Sequence, residues 1–109
     1  MPKYLAKAKY TSPDGVKGLI VDGGSARVKA VTGLIESVGG KLETMYFAFG
    51  DIDAYTVFEA PDSAAATSVS LAAAATGLAT VEIVPLLTAE ELDAATKMVP
   101  NYDAPGPNA

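Results

Sequence analysis

The sequence predicts an α+β fold in which two helices cover one face of a four-stranded antiparallel sheet. Four segments alternate between unlike residues or are rich in aromatic and β-branched residues, which is typical of strands. One segment between them repeats its apolar residues every three or four positions, and another is rich in alanine behind a capping Asp. The resulting order, β-α-β-β-α-β, is that of a ferredoxin-like sandwich.

The first predicted strand, residues 3–10, has two unlike faces. Ala6 and Ala8 lie on one face, where their small side chains let helices approach closely. Lys7 and Lys9 lie on the other face. Because the first strand is central in this topology and two helices cover only one side of the sheet, we expect the lysine face to be open.

Helical segments follow the first strand. Pro13 suits the first position of a helix, and a short helical turn is expected over residues 16–21 before two glycines break it. The periodic segment begins at Ser25, which is a good N-cap. It ends before Gly39, which suits the left-handed position beyond a helix end.

The second half of the chain supplies three strands and two helices. Their predicted limits are strand 41–49, strand 53–60, helix 62–76, strand 79–87 and helix 88–98. Asp62 is the N-cap of the first of these helices, and Thr88 with Glu91 forms a capping box for the second. Pro85 indicates that its strand lies at an edge of the sheet or that this position lies beyond the paired part of the strand.

A second copy of the chain is expected to cover the open side of the sheet. Tyr46, Phe47 and Phe49 lie close together on the second strand, so both of its faces carry large apolar groups. A strand of this kind is normally covered on both faces. Two such sheets face to face form a dimeric α/β barrel with a cavity between them. We therefore expect a homodimer or a larger even-numbered oligomer.

The composition excludes several kinds of chemistry. The chain has no Cys and no His, which leaves no thiol nucleophile, no imidazole base, no disulfide and no zinc, haem or iron–sulfur site built on those residues. A net charge of −5 makes a poor partner for phosphate backbones, so we expect no nucleic acid to bind. We also expect no cofactor and no metal site.

The chain is expected to be a single cytoplasmic domain. Its first ten residues lack the apolar core of a signal peptide. The alanine-rich segment 63–81 contains too few large apolar residues to span a membrane. The domain covers residues 1–99, and residues 100–109, rich in Pro and Asn, form a tail that we expect to be disordered.

Lys7, Lys9 and Arg27 are the candidate cationic groups of a ligand site. The two lysines could hold an anionic ligand, although pairing with acidic residues on neighbouring strands is favoured. Arg27, the only arginine, could bind a carboxylate ligand. Its place in a first helical turn favours a structural ion pair instead. The possible acidic partners are Glu43, Glu59 and Glu82 for the lysines, and Asp22, Asp51 and Asp53 for the arginine.

Tyr46, Tyr55 and Asp53 complete the set of candidate site residues. The two tyrosines lie on paired strands, where a phenol could donate to a ligand or act as an acid; ordinary placement in a half-buried sheet is favoured. Asp51 and Asp53 flank the hairpin turn and could act in acid–base catalysis or bind a hard cation. Turn chemistry explains both carboxylates without a ligand, and we favour it.

The order of several short motifs resembles a known family, the small bacterial GYD-domain proteins. Those proteins combine a helix opening near an Arg, a Gly-Gly, an aromatic strand, Gly-x-Tyr-Asp and an acidic-Ala-Pro-Asp segment. The matching positions here are Arg27, Gly39, Gly40, Tyr46, Gly50, Asp53 and residues 59–62. Ile52 stands where the family has its namesake Tyr, so any role of that hydroxyl is absent. The likeness covers about residues 3–95 and implies a ferredoxin-like, dimeric α/β-barrel protein of poorly known function.

The sequence favours a non-catalytic oligomeric module that binds a small organic molecule in a cavity between two sheets. The missing His and Cys and the lack of a nucleophile–base pair support this interpretation. The alternative is a cofactor-independent monooxygenase or isomerase acting on a small aromatic or lactone-like substrate. Such an enzyme would work through Lys7, Tyr46, Tyr55 and Asp53. A purely structural assembly subunit is a third possibility.

Overall fold

The structure, a computed structural model, describes residues 1–107. Its elements in chain order are β1 (Lys3–Tyr10), α1 (Pro13–Asp22), α2 (Gly24–Ser37), β2 (Lys41–Phe47), β3 (Ala54–Glu59), α3 (Ser63–Ala75), β4 (Ala79–Leu86) and α4 (Ala89–Thr96). The strands form one antiparallel sheet in the order β2-β3-β1-β4. The predicted α+β, ferredoxin-like arrangement is confirmed, including the central position of β1 and the edge position of β4.

The segment between β1 and β2 differs from its prediction at two points. α1 is a ten-residue helix that begins at Pro13, whereas a shorter turn was predicted. Ser25 is not the N-cap of α2, because Gly23 takes that position with a φ of 82°. The N–H of Gly23 donates to the carbonyl of Leu19 at 2.8 Å. One glycine in a left-handed conformation therefore ends α1 and starts α2.

The hairpin strands are shorter than predicted. β2 ends at Phe47, and Phe49 lies in the connecting loop with 72% of its surface exposed. The loop is fixed by Asp53, whose carbonyl accepts from the N–H of Ala48 at 2.8 Å and whose N–H donates to the carbonyl of Ala8 at 2.9 Å. The backbone groups of Asp53 thus tie the hairpin loop to β1. The remaining predicted boundaries agree to within two residues.

The best-packed part of the core lies at one end of the sheet, on the face that the helices cover. Tyr4 of β1 and Phe58 of β3 are partners in the strand register, and their ring centroids are 5.7 Å apart. Ile35 of α2 and Val69 of α3 pack against them. Tyr4 and Ala6 are buried, so the predicted orientation of β1 is confirmed.

Helix caps occur where local chemistry predicts them. The carboxylate of Asp62 accepts from the N–H of Ala65 at 2.8 Å at the start of α3. Thr88 and Glu91 form the predicted reciprocal capping box of α4. Within residues 1–107, no helix combines the length and hydropathy needed to cross a membrane.

The C-terminal segment of the described chain lies at the surface throughout. All residues from 87 to 107 are exposed. The radius of gyration is 17.5 Å, against roughly 13 Å expected for a compact chain of this length. Residues 100–107 contain no helix or strand. The disorder expected for the tail stays a prediction, and its last two positions, 108 and 109, lie outside the described residues.

Candidate functional site

A cavity of about 440 Å³ lies between the helices and the sheet, towards the end of β1 that is remote from the packed core. Small side chains create it. Tyr4 and Phe58 fill the covered face at one end, whereas Ala6, Ala8 and Ala54 occupy the same face further along. We call these three residues the alanine floor. Cavities of a few hundred Å³ are the usual size of small-molecule sites.

The sequence predicts that the small side chains of Ala6 and Ala8 let the helices approach the sheet closely. In the structure a cavity lies above the alanine floor instead. α2 packs over the edge strand β2 and α3 packs over the opposite edge strand β4. Small side chains on the two central strands then leave space between the sheet and these helices. A third helix, α1, crosses this space and lines it with Gly15, Gly18 and Leu19. The prediction of two covering helices omitted α1.

The position of α1 depends on a close contact at Gly15. A Cβ atom on this buried residue would lie 2.8 Å from the carbonyl oxygen of Leu78, in the turn before β4. The same carbonyl accepts from the N–H of Thr11 at 3.0 Å. Only glycine allows the helix to approach this backbone so closely. Gly15 therefore determines where α1 lies and where this wall of the cavity is placed.

The lining of the cavity is mostly apolar, with a few polar groups. Val31 and Leu34 of α2 and Ala72 and Ala73 of α3 contribute to its walls. The polar and charged residues that line it are Tyr10, Asp14, Asp22, Arg27, Thr56 and Thr76. An apolar volume with a few polar groups is the usual form of a site for a small organic molecule.

Arg27 lines this cavity and does not form the ion pair that the sequence favoured. Among residues 1–107, no carboxylate oxygen lies within 4.0 Å of its guanidinium nitrogens. The carboxylate of Asp53 instead accepts from the N–H of Tyr10 at 2.9 Å. Asp22 and Asp51 are exposed. Arg27, half-buried at the cavity, is left without a structural counter-ion in the described chain.

Three other candidate residues lie together on the opposite face of the sheet, which we call the open face. One row of register partners crosses all four strands and contains the three candidates and one acidic residue: Tyr46, Tyr55, Lys7 and Glu82. Lys7 Nζ lies 3.6 Å from a carboxylate oxygen of Glu82. Tyr46 is 71% exposed and Tyr55 is 38% exposed. The predicted pairing of Lys7 with a neighbouring strand is confirmed, and its head group shares this row with two phenols.

Other charges on the open face follow the register. Lys9 is exposed and lies opposite Thr80 of β4. Glu43, one of the expected partners for the site lysines, pairs with Lys3 at 2.9 Å instead. The hydrogen bond to the Glu43 carboxylate, together with its negative charge, raises the pKa of Lys3.

The six candidate residues therefore do not form one site. Arg27 borders the cavity on the helix side, while the lysines and tyrosines lie on the open face and Asp53 ties the hairpin loop. Sequence analysis missed the cavity residues Tyr10, Asp14 and Asp22. The signal that could have indicated the cavity was the change from large to small side chains along the helix-facing positions of the two central strands.

The sheet order and the ligand-sized cavity define the class of protein: an α+β protein with a ferredoxin-like sheet and a mostly apolar cavity between the sheet and the helices. Comparison with protein-family models matches residues 4–96 to the GYD domain. The chain therefore belongs to the GYD-domain family, as the motifs predicted. No curated protein and no solved structure gave a significant match.

Proposed function

We propose that this protein binds a small organic molecule without transforming it, and that it does so as a homo-oligomer. The observation that carries the binding function is the cavity of about 440 Å³ with its alanine floor. An apolar cavity lowers stability, because the atoms that line it lose packing contacts. A bound molecule with an apolar body would restore these contacts. The sequence suggested a cavity between two sheets; we take the helix-side cavity as the primary site.

The open face supports association with a second copy. Leu5, Val57 and Val84 lie in one row across β3, β1 and β4, next to the row that contains Tyr46 and Tyr55. Large apolar side chains at the centre of an exposed sheet face are typical of an interface. Salt bridges lie on both sides of the aliphatic row, Lys3 with Glu43 and Lys7 with Glu82. Because both signs of charge are present, the face can complement itself about a two-fold axis.

The exposed C-terminal segment supports the same association. Leu92 and Ala95 lie one turn apart on α4, and Leu92 is 55% exposed; beyond the end of the helix, Met98 and Val99 are 69% and 94% exposed. An amphipathic helix gains most of its stability from packing its apolar side. We propose that in the oligomer this side lies against the second copy.

Binding is favoured over catalysis because two of the four residues that an enzyme would use, Lys7 and Asp53, are already engaged. Lys7 is paired with Glu82, and the carboxylate of Asp53 is used by the backbone of β1. The alternative function, a cofactor-independent monooxygenase or isomerase acting on an aromatic or lactone-like substrate, would rest on the adjacent phenols of Tyr46 and Tyr55. Conversion of a bound aromatic compound by the wild-type protein, lost on Tyr55→Phe, would favour that alternative.

Native mass spectrometry of the purified protein tests both parts of the proposal. We expect an even-numbered oligomer that gains mass when incubated with 2-naphthamide, a neutral apolar probe. Ala8→Leu adds volume at the alanine floor and is expected to abolish this gain. Ala64→Leu makes the same substitution at an exposed position of α3 and serves as the matched control.

Each part can fail separately. A monomer at micromolar concentration would contradict the oligomer. An oligomer whose probe binding is equal in wild type and Ala8→Leu would show that the helix-side cavity is not the binding site. An oligomer that binds neither naphthamide nor other small apolar compounds would favour a structural subunit.

A further inference from the structure

We propose that the helix-side cavity binds a monocarboxylate with an apolar body, and that Arg27 binds the carboxylate group. This inference rests on the proposed binding function and names the class of ligand. It also assigns the specificity of the site to one residue.

The state of Arg27 is the first argument. Its side chain is half-buried at the cavity, and within residues 1–107 it has neither an acidic partner within 4.0 Å nor a side-chain hydrogen bond. A guanidinium remains charged at any physiological pH and carries five N–H donors in a fixed plane. The guanidinium nitrogens are open to solvent, so water satisfies them until a ligand carboxylate takes its place. A carboxylate matches the geometry of these donors and forms two parallel hydrogen bonds.

The rest of the lining specifies the body of the ligand. The hydroxyl-bearing residues Tyr10, Thr56 and Thr76 also line the cavity. Most of the remaining boundary is formed by the alanine floor and by aliphatic side chains such as Val31 and Leu34. These groups offer no hydrogen bonds to a ligand and favour hydrocarbon surface. A short fatty acid or a small aromatic acid has the required combination of an apolar body and one anionic end.

Two acidic residues set a limit on the ligand charge. Asp14 and Asp22, near the two ends of α1, also line the cavity, and both are exposed. Water screens their charges more strongly than that of the half-buried arginine. One carboxylate can therefore be held by Arg27, whereas a second anionic group would meet the carboxylates of α1. The site is expected to prefer monoanions to dianions.

Isothermal titration calorimetry on the full-length protein tests this assignment with matched ligand pairs. The probes are 2-naphthoate and octanoate, each compared with its neutral amide, and the dianion naphthalene-2,6-dicarboxylate. Three variants each remove one positive charge. Arg27→Gln removes it at the cavity, Lys29→Gln at an exposed position of the same helix, and Lys7→Gln on the open face. Thermal unfolding of each variant checks that the fold is retained.

The expected result is selective. Wild type binds at least one of the two acids more tightly than its amide and binds the dicarboxylate less tightly than 2-naphthoate. Arg27→Gln weakens binding of the acid about tenfold or more, the effect of losing a charged hydrogen bond, and leaves amide binding within about twofold. Lys29→Gln leaves both affinities within about twofold.

Two results would overturn the assignment while leaving the proposed function in place. Equal binding of acid and amide by wild type would show that the cavity takes neutral ligands. Loss of acid binding in Lys7→Gln but not in Arg27→Gln would move the anion site to the open face. Absence of binding for every acid and amide would overturn both the assignment and the proposed function of the cavity.

Discussion

Gly40 is the position at which adding one methyl group should be most revealing. This residue lies between α2 and β2, and its N–H donates to the carbonyl of Ile35 at 3.0 Å. A Cβ atom there would overlap the carbonyl oxygen of Glu59 in β3 and would lie 2.9 Å from Cγ2 of Ile35. Since ordinary Cβ contacts are 3.4–4 Å and the main obstacle is backbone, the strand itself must move.

The cost follows from the packing at this point. Forcing an extra carbon into a well-packed region costs about 1–3 kcal/mol. Because Glu59 lies in a strand that is paired on both sides, we expect Gly40→Ala to lower the unfolding free energy by about 2 kcal/mol, in the middle of that range. For a domain of this size, that loss lowers the melting temperature by about 8 °C or more.

Gly33→Ala is the matched control. Gly33 lies inside α2, is exposed, and has no atom within 4 Å of the position that a Cβ would occupy. The same substitution there should raise the unfolding free energy by up to about 1 kcal/mol, because alanine is the better helix former. Urea unfolding followed by circular dichroism measures both variants. Gly40→Ala as stable as wild type would refute the argument that the α2–β2 connection is packed against β3.

Phe58→Ala should lower the unfolding free energy by about 3–5 kcal/mol, since the ring is fully buried against Tyr4; a loss below 1 kcal/mol in urea unfolding would contradict this. The pKa of Lys3 is raised by its pair with Glu43. The stabilisation from this protonated lysine is therefore complete at pH values below the ordinary lysine pKa, and it is lost as the pH rises through the raised pKa. In an NMR titration, Glu43→Gln should return the Lys3 pKa towards its ordinary value, and an unchanged value would disprove the pairing. Deletion of residues 100–109 should change the melting temperature little, and a drop of several degrees would show that the tail packs on the protein or on a second copy.

The part of the site that could be predicted depended on the strand register. Alternation along β1 placed Lys7 on the open face, and the hairpin placed Tyr46 beside Tyr55. The alternation also allowed Lys7 to pair with a neighbouring strand, which it does with Glu82. These relations are periodic along a strand, so a local pattern is enough to predict them.

The part that could not be predicted concerns Arg27. Only one of its possible acidic partners, Asp22, is close to it in the chain, whereas Asp51 and Asp53 lie in the distant hairpin loop. Whether it pairs with any of them depends on where α1 and the hairpin loop lie in space. Asp53 is bound to the backbone of β1 in the structure, and the space beside Arg27 is left to the cavity.

The sequence by itself determined the order of the elements, the helix caps at Asp62 and Thr88, the two faces of β1 and the family of the protein. Those features arise from interactions between residues close together in the chain or from an ordered set of motifs. Only the tertiary structure decided that the alanine floor borders a cavity and that Arg27 lies beside it. An alanine on a strand permits either a close helix or an empty space. The choice is made by the positions of α2 and α3 over the outer strands, because those positions determine whether any side chain reaches the middle of the sheet.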